Sequence, residues 1–307
     1  MGVDLMAREK LVLKTVNDET LNGYSWTTTN PKANVVIVTG MEEYLLRYDD
    51  FANYLNSKGF NVYGFDHYGQ GETAEEGRLG IVPRSFFSKS VRNIDDLVKK
   101  VKKGNGLPTY IFAHSMGSFM AQDFVQRFTK DADKVVICGT NGPNGNGAYK
   151  AGYPIAKLVA KCKGENKKAK FLASLAIGGY VKSIKNRKLD TDWLSYNEEN
   201  NQKYLDNPLC GYGSSNGFYR ELLKGNRRLY NKKFMAKIRK DLPIFLVAGK
   251  EDPVGAKGKG PTKLFELYKK YGLTNVELKL YDHMRHEILN EPEHQMVYDD
   301  IVNFYNK

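Results

Sequence analysis

The stretch Thr109-Tyr-Ile-Phe-Ala-His-Ser-Met-Gly-Ser118 contains the pattern that decides the fold. Its first five residues have the apolar, β-prone character of a buried strand, and apolar residues recur at helical spacing directly after it. Between the two, Ser115 has the small residues Ala113 and Gly117 two positions before and after it, as a crowded strand-to-helix turn requires. Such a turn exposes the serine hydroxyl beside a helix N-terminus, which stabilises negative charge. Ser115 is therefore a candidate nucleophile, and the alternative is a serine that only caps the helix.

Strand and helix patterns alternate on both sides of this stretch. Two N-terminal segments, residues 11–15 and 24–28, have the pattern of antiparallel strands, with a turn around Asn17-Asp18 and Asn22-Gly23. Apolar runs typical of strands buried on both faces lie at residues 35–38, 62–65, 109–113, 135–138, 244–247 and 276–280. Helical spacing occupies residues 48–58, 90–102, 117–128, 261–271 and 292–305. The pattern predicts an α/β fold, with a mostly parallel eight-stranded sheet flanked by helices.

The alternation stops between residues 142 and 241 and resumes at Pro243. This segment begins in Asn-Gly-Pro-Asn-Gly-Asn-Gly, a loop by composition, and continues as helical patterns rich in Lys, Leu and Tyr. We therefore expect a core of residues 1–141 and 242–307, with a helical insertion of residues 142–241 after the sixth strand.

The formal net charge of +12 is concentrated in this insertion, which has 21 Lys and Arg against 8 Asp and Glu. A basic insertion on a nearly neutral core favours contact with anionic surfaces such as phospholipid headgroups, although a solvated lysine-rich surface fits the same pattern. No recognised nucleic-acid-binding module is present in the sequence, so we expect no nucleic-acid partner. Three cysteines, short apolar runs and an N-terminus without an apolar leader indicate a cytoplasmic protein.

A serine hydroxyl is a weak nucleophile, so it needs a base and a residue that orients the base. His286 follows the last predicted strand, and Asp252 follows the strand before it. The carboxyl ends of parallel strands converge on one edge of a sheet, so both side chains can meet Ser115 there. His283 and Glu251 are the alternatives at the same two places.

An oxyanion formed at Ser115 needs two hydrogen-bond donors. The Met116 N–H directly follows the candidate nucleophile. The Met41 N–H lies in the loop after the third strand, where Gly40 allows close approach of the backbone. His114 and His67 lie at other strand ends and are candidates to line the substrate site.

Four blocks of the sequence resemble the monoglyceride lipase and lysophospholipase group of α/β-hydrolases. The first, Thr39-Gly-Met-Glu-Glu-Tyr-Leu-Leu-Arg-Tyr48, is similar to the family's His-Gly-x-x-Glu-His block with a trailing Arg-Tyr. The second, Phe65-Asp-His-Tyr-Gly-Gln-Gly-Glu72, is similar to its Asp-x-x-Gly-x-Gly loop, and the third is the serine turn, Ala113-His-Ser-Met-Gly117. The fourth, Arg285-His-Glu-Ile-Leu-Asn-Glu291, is close to the bacterial lysophospholipase pattern around the catalytic histidine. Thr39 and Tyr44 depart from the family's two usual histidines.

The resemblance implies an α/β-hydrolase fold with a Ser115, Asp252 and His286 triad and an oxyanion hole formed by the Met41 and Met116 amides. It implies that the insertion is a cap over an acyl pocket. Apolar residues of the cap would line that pocket or hold the cap on the core. They are Leu158, Val159, Phe171, Leu172, Leu175, Trp193, Tyr204, Leu205, Phe218 and Tyr219.

The implied activity is that of a serine ester hydrolase, which cleaves monoacylglycerols or lysophospholipids through an acyl-enzyme. One alternative is a short- or aromatic-acyl carboxylesterase, and another is a non-catalytic ligand-binding protein with the same fold. A peptidase with this triad is less favoured, because a strongly basic cap does not suit a substrate amine. No cofactor or metal is expected, since the His286-Glu287 pair lacks the second histidine of a zinc-binding helix.

Overall fold

A single eight-stranded sheet forms the centre of the protein. The computed structural model describes residues 8–16 and 18–307. The strands are β1 (Glu9–Lys14), β2 (Thr20–Trp26), β3 (Ala33–Val38), β4 (Phe60–Phe65), β5 (Thr109–His114), β6 (Lys134–Cys138), β7 (Ile244–Gly249) and β8 (Val276–Tyr281). Their order is β1-β2-β4-β3-β5-β6-β7-β8; β2 is antiparallel to β1 and β4, and the other neighbours are parallel. This confirms the predicted mostly parallel eight-stranded sheet.

Helices cover both faces of the sheet. They are α1 (Asp49–Ser57), α2 (Phe86–Asn105), α3 (Met116–Arg127), α4 (Asn146–Lys163), α5 (Lys170–Ala176), α6 (Gly178–Ser183), α7 (Glu198–Asp206), α8 (Asn216–Asn226), α9 (Lys232–Met235), α10 (Lys259–Lys270) and α11 (His294–Asn306). One apolar core contains buried residues of α2, α3 and α10, and a second contains those of α1 and α11. Successive residues of β3 alternate between the two cores, because successive side chains of a strand point to opposite faces.

The predicted turn at Asn22-Gly23 is wrong, because both residues lie inside β2. Gly23 pairs with Leu11 on one side and with Phe65 on the other. A Cβ atom at Gly23 would lie only 2.0 Å from the carbonyl oxygen of Gly64 in β4. The glycine therefore permits close strand packing and does not mark a turn. Asp18, with φ of 60°, does lie in the turn between β1 and β2, and Asn17 lies outside the described residues.

The predicted insertion, residues 142–241, lies between β6 and β7 and contains the helices α4 to α9. Helix α4 packs along α8, and a Cβ atom at Gly152 would lie 3.4 Å from Cδ1 of Leu223. Its status as a separate cap stays a prediction. Within the part of the chain that the structure describes, no helix is both long and apolar enough to cross a bilayer.

Gly23→Ala is expected to lower the free energy of unfolding by about 1–3 kcal/mol, because the added methyl group overlaps the β4 backbone. Gly104→Ala is the matched control. Gly104 lies in α2, and the methyl group of an alanine there would have no neighbour within 4 Å, so the same change should raise stability by about 0.5–1 kcal/mol. Urea denaturation of both variants measures the difference. Equal effects of the two substitutions would contradict the close packing of β2 against β4.

Candidate active site

Ser115 occupies a strained turn between β5 and α3. Its φ of 52° and ψ of −117° lie in a region that residues other than glycine rarely adopt. The Ser115 N–H donates to the carbonyl oxygen of Cys138 on β6 at 3.0 Å, which holds the turn against the sheet. A Cβ at Gly117 would lie 2.3 Å from the carbonyl oxygen of Val38, so the turn also lies directly against the end of β3. The small residue at position 117 is therefore required by this close approach.

The structure brings His286 and Asp252 to Ser115. The imidazole Nε2 of His286 lies 2.8 Å from the Ser115 hydroxyl, and its Nδ1 lies 3.1 Å from Oδ1 of Asp252. Both His286 and Asp252 are buried, and the Val254 N–H donates to the same Asp252 oxygen at 2.8 Å. The carboxylate is thus held in position to accept the Nδ1 proton, which leaves Nε2 free to accept the serine proton.

The two alternatives from the sequence lie elsewhere. The His283 side chain is 91% exposed, and its Nδ1 lies 3.6 Å from the Glu251 carboxylate at the surface. Neither residue lines the cavity at Ser115.

The loop after β3 lies directly beside the serine. A Cβ at Gly40 would lie 2.6 Å from Oε1 of Glu43 and 3.1 Å from the Ser115 Cβ, so a larger residue would have to displace one of these side chains. The Gly40 N–H donates to the Glu43 carboxylate, and its carbonyl accepts from Gln70 Nε2 at 3.0 Å. Within residues 8–16 and 18–307, neither the Met41 nor the Met116 amide has a hydrogen-bond acceptor. Both amides are therefore available to an oxyanion.

A cavity of about 460 Å³ opens from the Ser115 hydroxyl, a volume within the usual range of ligand pockets. Among its described lining residues none is Asp, Glu, Lys or Arg. The ring of Trp193 lies 5.3 Å from that of His286 at one wall. Of the ten apolar residues of the insertion that the sequence singles out, four line the cavity: Leu172, Leu175, Trp193 and Tyr219. Most of the remaining wall is also formed by large apolar or aromatic side chains: Met41, Met116, Phe119, Tyr149, Ile155, Ile177, Tyr180, Leu222, Leu223 and Val254.

His114, expected to line the site, lies behind His286 and not on the cavity wall. The two imidazole rings are 4.7 Å apart. His114 Nε2 lies 3.2 Å from the His286 carbonyl oxygen, and its Nδ1 lies 3.0 Å from the Tyr48 hydroxyl. The Tyr48 hydroxyl donates to Glu43 at 2.8 Å, so both His114 nitrogens are placed to donate. Burial alone would lower the pKa of His114, but the hydrogen bond and attraction to Glu43 raise it.

His67 also lies off the cavity wall. It is buried edge-on against Phe65, and burial lowers its pKa to about 4, so it is neutral at physiological pH.

A buried charge network that sequence reasoning missed surrounds these groups. Arg47 donates to both oxygens of Glu287 at 2.6 and 2.7 Å, and to Glu43 at 2.8 Å. Asn200 of α7 also donates to Glu287, at 2.8 Å. The network therefore links the Gly40 loop, the loop that carries His286 and a helix of the insertion. The signal for it in the sequence is the i,i+4 spacing of Glu43 and Arg47 in an apolar segment.

Burial alone would raise the pKa of Glu287, yet attraction to Arg47 and hydrogen bonds from it hold that pKa well below its usual range. Burial likewise opposes ionisation of Glu43, but His114 and Arg47 lower its pKa. Both carboxyl groups are therefore ionised at neutral pH. In the described ranges, no group of three or more His, Cys, Asp or Glu side chains is arranged to hold a metal ion.

Comparison with known proteins agrees with this fold. Residues 29–293 match the model of the family described as serine aminopeptidase, S33, and the chain belongs to that family of α/β-hydrolases. It is 26% identical over 283 residues to a monoacylglycerol lipase of Mycolicibacterium smegmatis, covering 91% of this chain and 90% of the relative. It is 25% identical over 279 residues to a phospholipase of Bacillus subtilis, covering 90% and 95%. The structure of a thermostable carboxyl esterase from Bacillus coagulans superposes with a TM-score of 0.89 at 24% identity, covering 98% of each chain.

Arg47→Met is expected to lower the free energy of unfolding by about 3–5 kcal/mol at pH 8, because it removes the cation that the buried Glu43 and Glu287 carboxylates share. The folded-state pKa values of Glu43 and Glu287 are depressed in the native protein, so their contribution is present above about pH 4.3 and lost below it. Without Arg47 these carboxyl groups protonate at higher pH, so the deficit of the variant should shrink between pH 8 and pH 5.

Urea denaturation at several pH values measures this deficit. Arg187→Met is the matched control, because Arg187 pairs with Asp190 on the surface and its loss should cost under about 0.5 kcal/mol. A pH-independent deficit, or one as small as that of the control, would exclude the buried ion network.

Proposed function

We propose that this protein is a serine ester hydrolase that cleaves monoacylglycerols, with Ser115 as nucleophile, His286 as base and Asp252 as the residue that orients the base. One observation carries the proposal. The hydrogen-bonded chain from Asp252 through His286 ends at a serine hydroxyl that faces an apolar cavity. In such a cavity the apolar acyl chain of an ester can lie along the wall, with the ester carbonyl at the polar end of the chain beside the Ser115 hydroxyl.

The geometry supports the following reaction. His286 Nε2 accepts the Ser115 proton while the serine oxygen attacks the ester carbonyl carbon. The Met41 and Met116 amides donate to the oxyanion of the tetrahedral intermediate. His286 then protonates the departing alcohol, and an acyl-enzyme remains on Ser115. Water repeats the sequence, with His286 as base, and releases the fatty acid.

The uncharged cavity wall bears on the choice of substrate. A peptidase that removes N-terminal residues needs a carboxylate for the substrate ammonium group, and none of the described lining residues is acidic. A lysophospholipid headgroup needs a cation for its phosphate, and none of those residues is Lys or Arg. Neutral glycerol satisfies both conditions, so a monoacylglycerol is favoured over a lysophospholipid. A short-acyl carboxylesterase would leave most of the apolar volume unused.

The insertion is assigned the role of a cap. Most of the residues that line the cavity belong to the segment 142–241, which supports this role. Ile155 of α4 and Leu175 of α5 line the cavity and are also 45% and 62% exposed, so the entrance lies between these helices.

The same entrance is the proposed contact with membranes. Leu158 on α4 and Phe171 on α5 are 62% and 50% exposed beside it, without lining the cavity. Exposed lysines occur on the same two helices and on the segment that joins them: Lys157, Lys161, Lys167 and Lys170. Exposed apolar groups bordered by cations fit a lipid surface with anionic headgroups. A cap of this kind would place the cavity entrance against the layer that contains the substrate.

A substrate panel tests the reaction and the acyl preference. The specificity constant kcat/KM should rise at least 100-fold from acetate to laurate esters, because each buried methylene contributes ~0.8 kcal/mol. The kcat/KM for monolauroylglycerol should exceed that for lauroyl lysophosphatidylcholine. Ser115→Ala should lower kcat about 10⁴- to 10⁶-fold and abolish labelling by a fluorophosphonate probe. Ser57→Ala, on α1, is the control and should keep both the hydrolytic rate and the labelling by the probe.

Equal rates on acetate and laurate would instead support the short-acyl carboxylesterase. Absence of hydrolysis and labelling in the unmodified protein would support a non-catalytic ligand-binding protein.

Replacement of both Leu158 and Phe171 by Glu should weaken binding to vesicles of phosphatidylcholine and phosphatidylglycerol about tenfold, because it removes apolar insertion. Hydrolysis of a monomeric water-soluble ester should not change, since neither side chain lines the cavity. High salt should weaken binding of the unmodified protein as it screens the lysines. Met296→Glu, at a position on α11 that is 50% exposed, is the matched control and should bind normally. Normal vesicle binding by the double variant would refute this contact.

A further inference from the structure

The side-chain amide of Gln70 lies against the loop that follows β3. Its Nε2 donates to the carbonyl oxygens of Gly40 at 3.0 Å and of Glu43 at 3.3 Å. Its Oε1 accepts from the Glu42 N–H at 3.1 Å. Both amide hydrogens and the amide oxygen are therefore used. The opposite orientation of the amide would place its oxygen against two carbonyl oxygens, so the three bonds determine which end donates.

These bonds hold the backbone on both sides of Met41. The Gly40 carbonyl belongs to the peptide unit before the Met41 α-carbon, and the Glu42 N–H belongs to the peptide unit after it. Each peptide unit is planar, so rotation about either backbone dihedral of Met41 turns one unit relative to the other. Such a rotation would break a bond to Gln70. One side chain thus fixes the conformation of the residue whose amide is the proposed oxyanion donor.

The bond to Gly40 also sets the direction of the Met41 N–H. The peptide bond between these two residues is trans, because the described part of the chain contains no cis peptide bond. In a trans peptide unit the C=O and the N–H point to opposite sides. The Gly40 carbonyl points at Gln70, which is 1% exposed and does not line the cavity. The Met41 N–H therefore points away from Gln70, and Met41 itself lines the cavity at Ser115.

The loop is strained directly after Met41, so it needs this support. Glu42 has a φ of 56°, which is unfavourable for a residue other than glycine and persists only where its surroundings hold it. The Gly211 N–H and the Tyr204 hydroxyl, both in the insertion, donate to its carbonyl oxygen at 3.0 Å each. Gln70 holds its N–H. Loss of Gln70 would therefore allow the backbone at Met41 and Glu42 to relax.

Gln70 is itself held in a fixed turn by Asp66. The Asp66 carboxylate accepts from the Leu45 N–H at 2.7 Å and from the Glu72 N–H at 2.8 Å. The Gln70 N–H donates to the His67 carbonyl at 3.0 Å. This turn is the second of the four sequence blocks, and the reaction described above uses none of its side chains.

On the basis of the proposed function, on which this inference rests, we propose that Gln70 is a positioning residue that holds the Met41 N–H in the direction an oxyanion requires. Gln70 lies off the cavity wall, so it acts only through the Met41 peptide. Its effect is largest in the transition state, because the negative charge on the carbonyl oxygen develops there. Gln70 therefore contributes to kcat and little to KM.

Gln70→Met tests this role, because methionine has a similar length but no N–H donor. On nitrophenyl dodecanoate, kcat should fall about 10- to 100-fold, less than the roughly 10²- to 10³-fold loss of an oxyanion donor itself. KM should change less than about twofold.

Gln126→Met is the matched control. The Gln126 amide is also buried and donates to a carbonyl, that of Leu229 at 2.7 Å, but it lies off the cavity wall. This variant should lose stability to urea as Gln70→Met does, while its kcat per folded molecule stays unchanged.

A transition-state analogue separates positioning from a general loss of structure. The Ser115 oxygen adds to the carbonyl carbon of undecyl trifluoromethyl ketone, its proton passes to His286, and the ketone oxygen becomes an oxyanion. The inhibition constant of this ketone should rise in Gln70→Met by the factor by which kcat/KM falls. The inhibition constant of undecyl methyl ketone, which binds as the uncharged ketone, should change less than about twofold. An equal rise for both ketones would overturn the inference.

Gln70→Glu is the second variant. It keeps the length of the side chain and the acceptor for the Glu42 N–H, but an ionised carboxylate cannot donate to Gly40. It should reproduce the fall in kcat and the difference between the two ketones.

Hydrogen exchange reports on the loop without turnover. The Gly40 N–H donates to Glu43 and not to Gln70, so its exchange rate measures the mobility of the loop itself. Exchange should be about tenfold faster in Gln70→Met and unchanged in Gln126→Met.

The outcomes separate this inference from the proposed function. If the unmodified protein hydrolyses the ester and both Gln70 variants keep kcat, the inference is wrong and the ester hydrolase stands. Loss of the fold in both Gln70 variants, with Gln126→Met folded, would assign Gln70 to stability alone and also overturn it. If no ester is hydrolysed but the Gly40 amide exchanges faster in Gln70→Met, the proposed function is wrong and the support of the loop by Gln70 stands.

Discussion

The ion pair between Arg47 and Glu287 joins the two loops on which the candidate active site depends. Glu287 directly follows His286, and Arg47 also binds Glu43, which accepts from the Gly40 amide. A buried ion pair adds little net stability, since desolvation of both ions offsets their attraction. Its effect here is geometric. Neither loop can shift without leaving a buried charge unpaired, so the imidazole and the loop beside Ser115 keep a fixed separation.

The same network determines the electrostatic environment behind His286. His114 lies 4.7 Å behind its ring and has hydrogen bonds that suit a protonated imidazole. An isolated cation at that distance would oppose protonation of His286 during acyl transfer. Glu43 lies 3.6 Å from His114 and balances that charge. The raised pKa of His114 favours its charged form, and Glu43 keeps that charge from opposing the proton transfer that the proposed mechanism requires.

Sequence reasoning predicted the sheet well, because buried parallel strands appear as continuous apolar runs with little ambiguity. The same reasoning placed a turn at Asn22-Gly23, since a local pattern carries no information about the approach of β4, which is remote in sequence. His286 and Asp252 could be proposed because strand ends converge at one edge. Glu43, Arg47 and Glu287 could not, because their pairing depends on which loops become neighbours.

The segment around Trp193 is attached to the core by several hydrogen bonds. The Leu194 carbonyl accepts from the Glu287 N–H at 2.7 Å, and the Ser195 hydroxyl donates to Glu291 at 2.6 Å. Arg285 donates to the Asp192 carbonyl as well. The indole is thus anchored beside His286 independently of α4 and α5. If those two helices moved apart, a substrate could enter while Trp193 stayed beside the His286 imidazole and kept its surroundings apolar. Substrate entry would then leave the dielectric around the base unchanged.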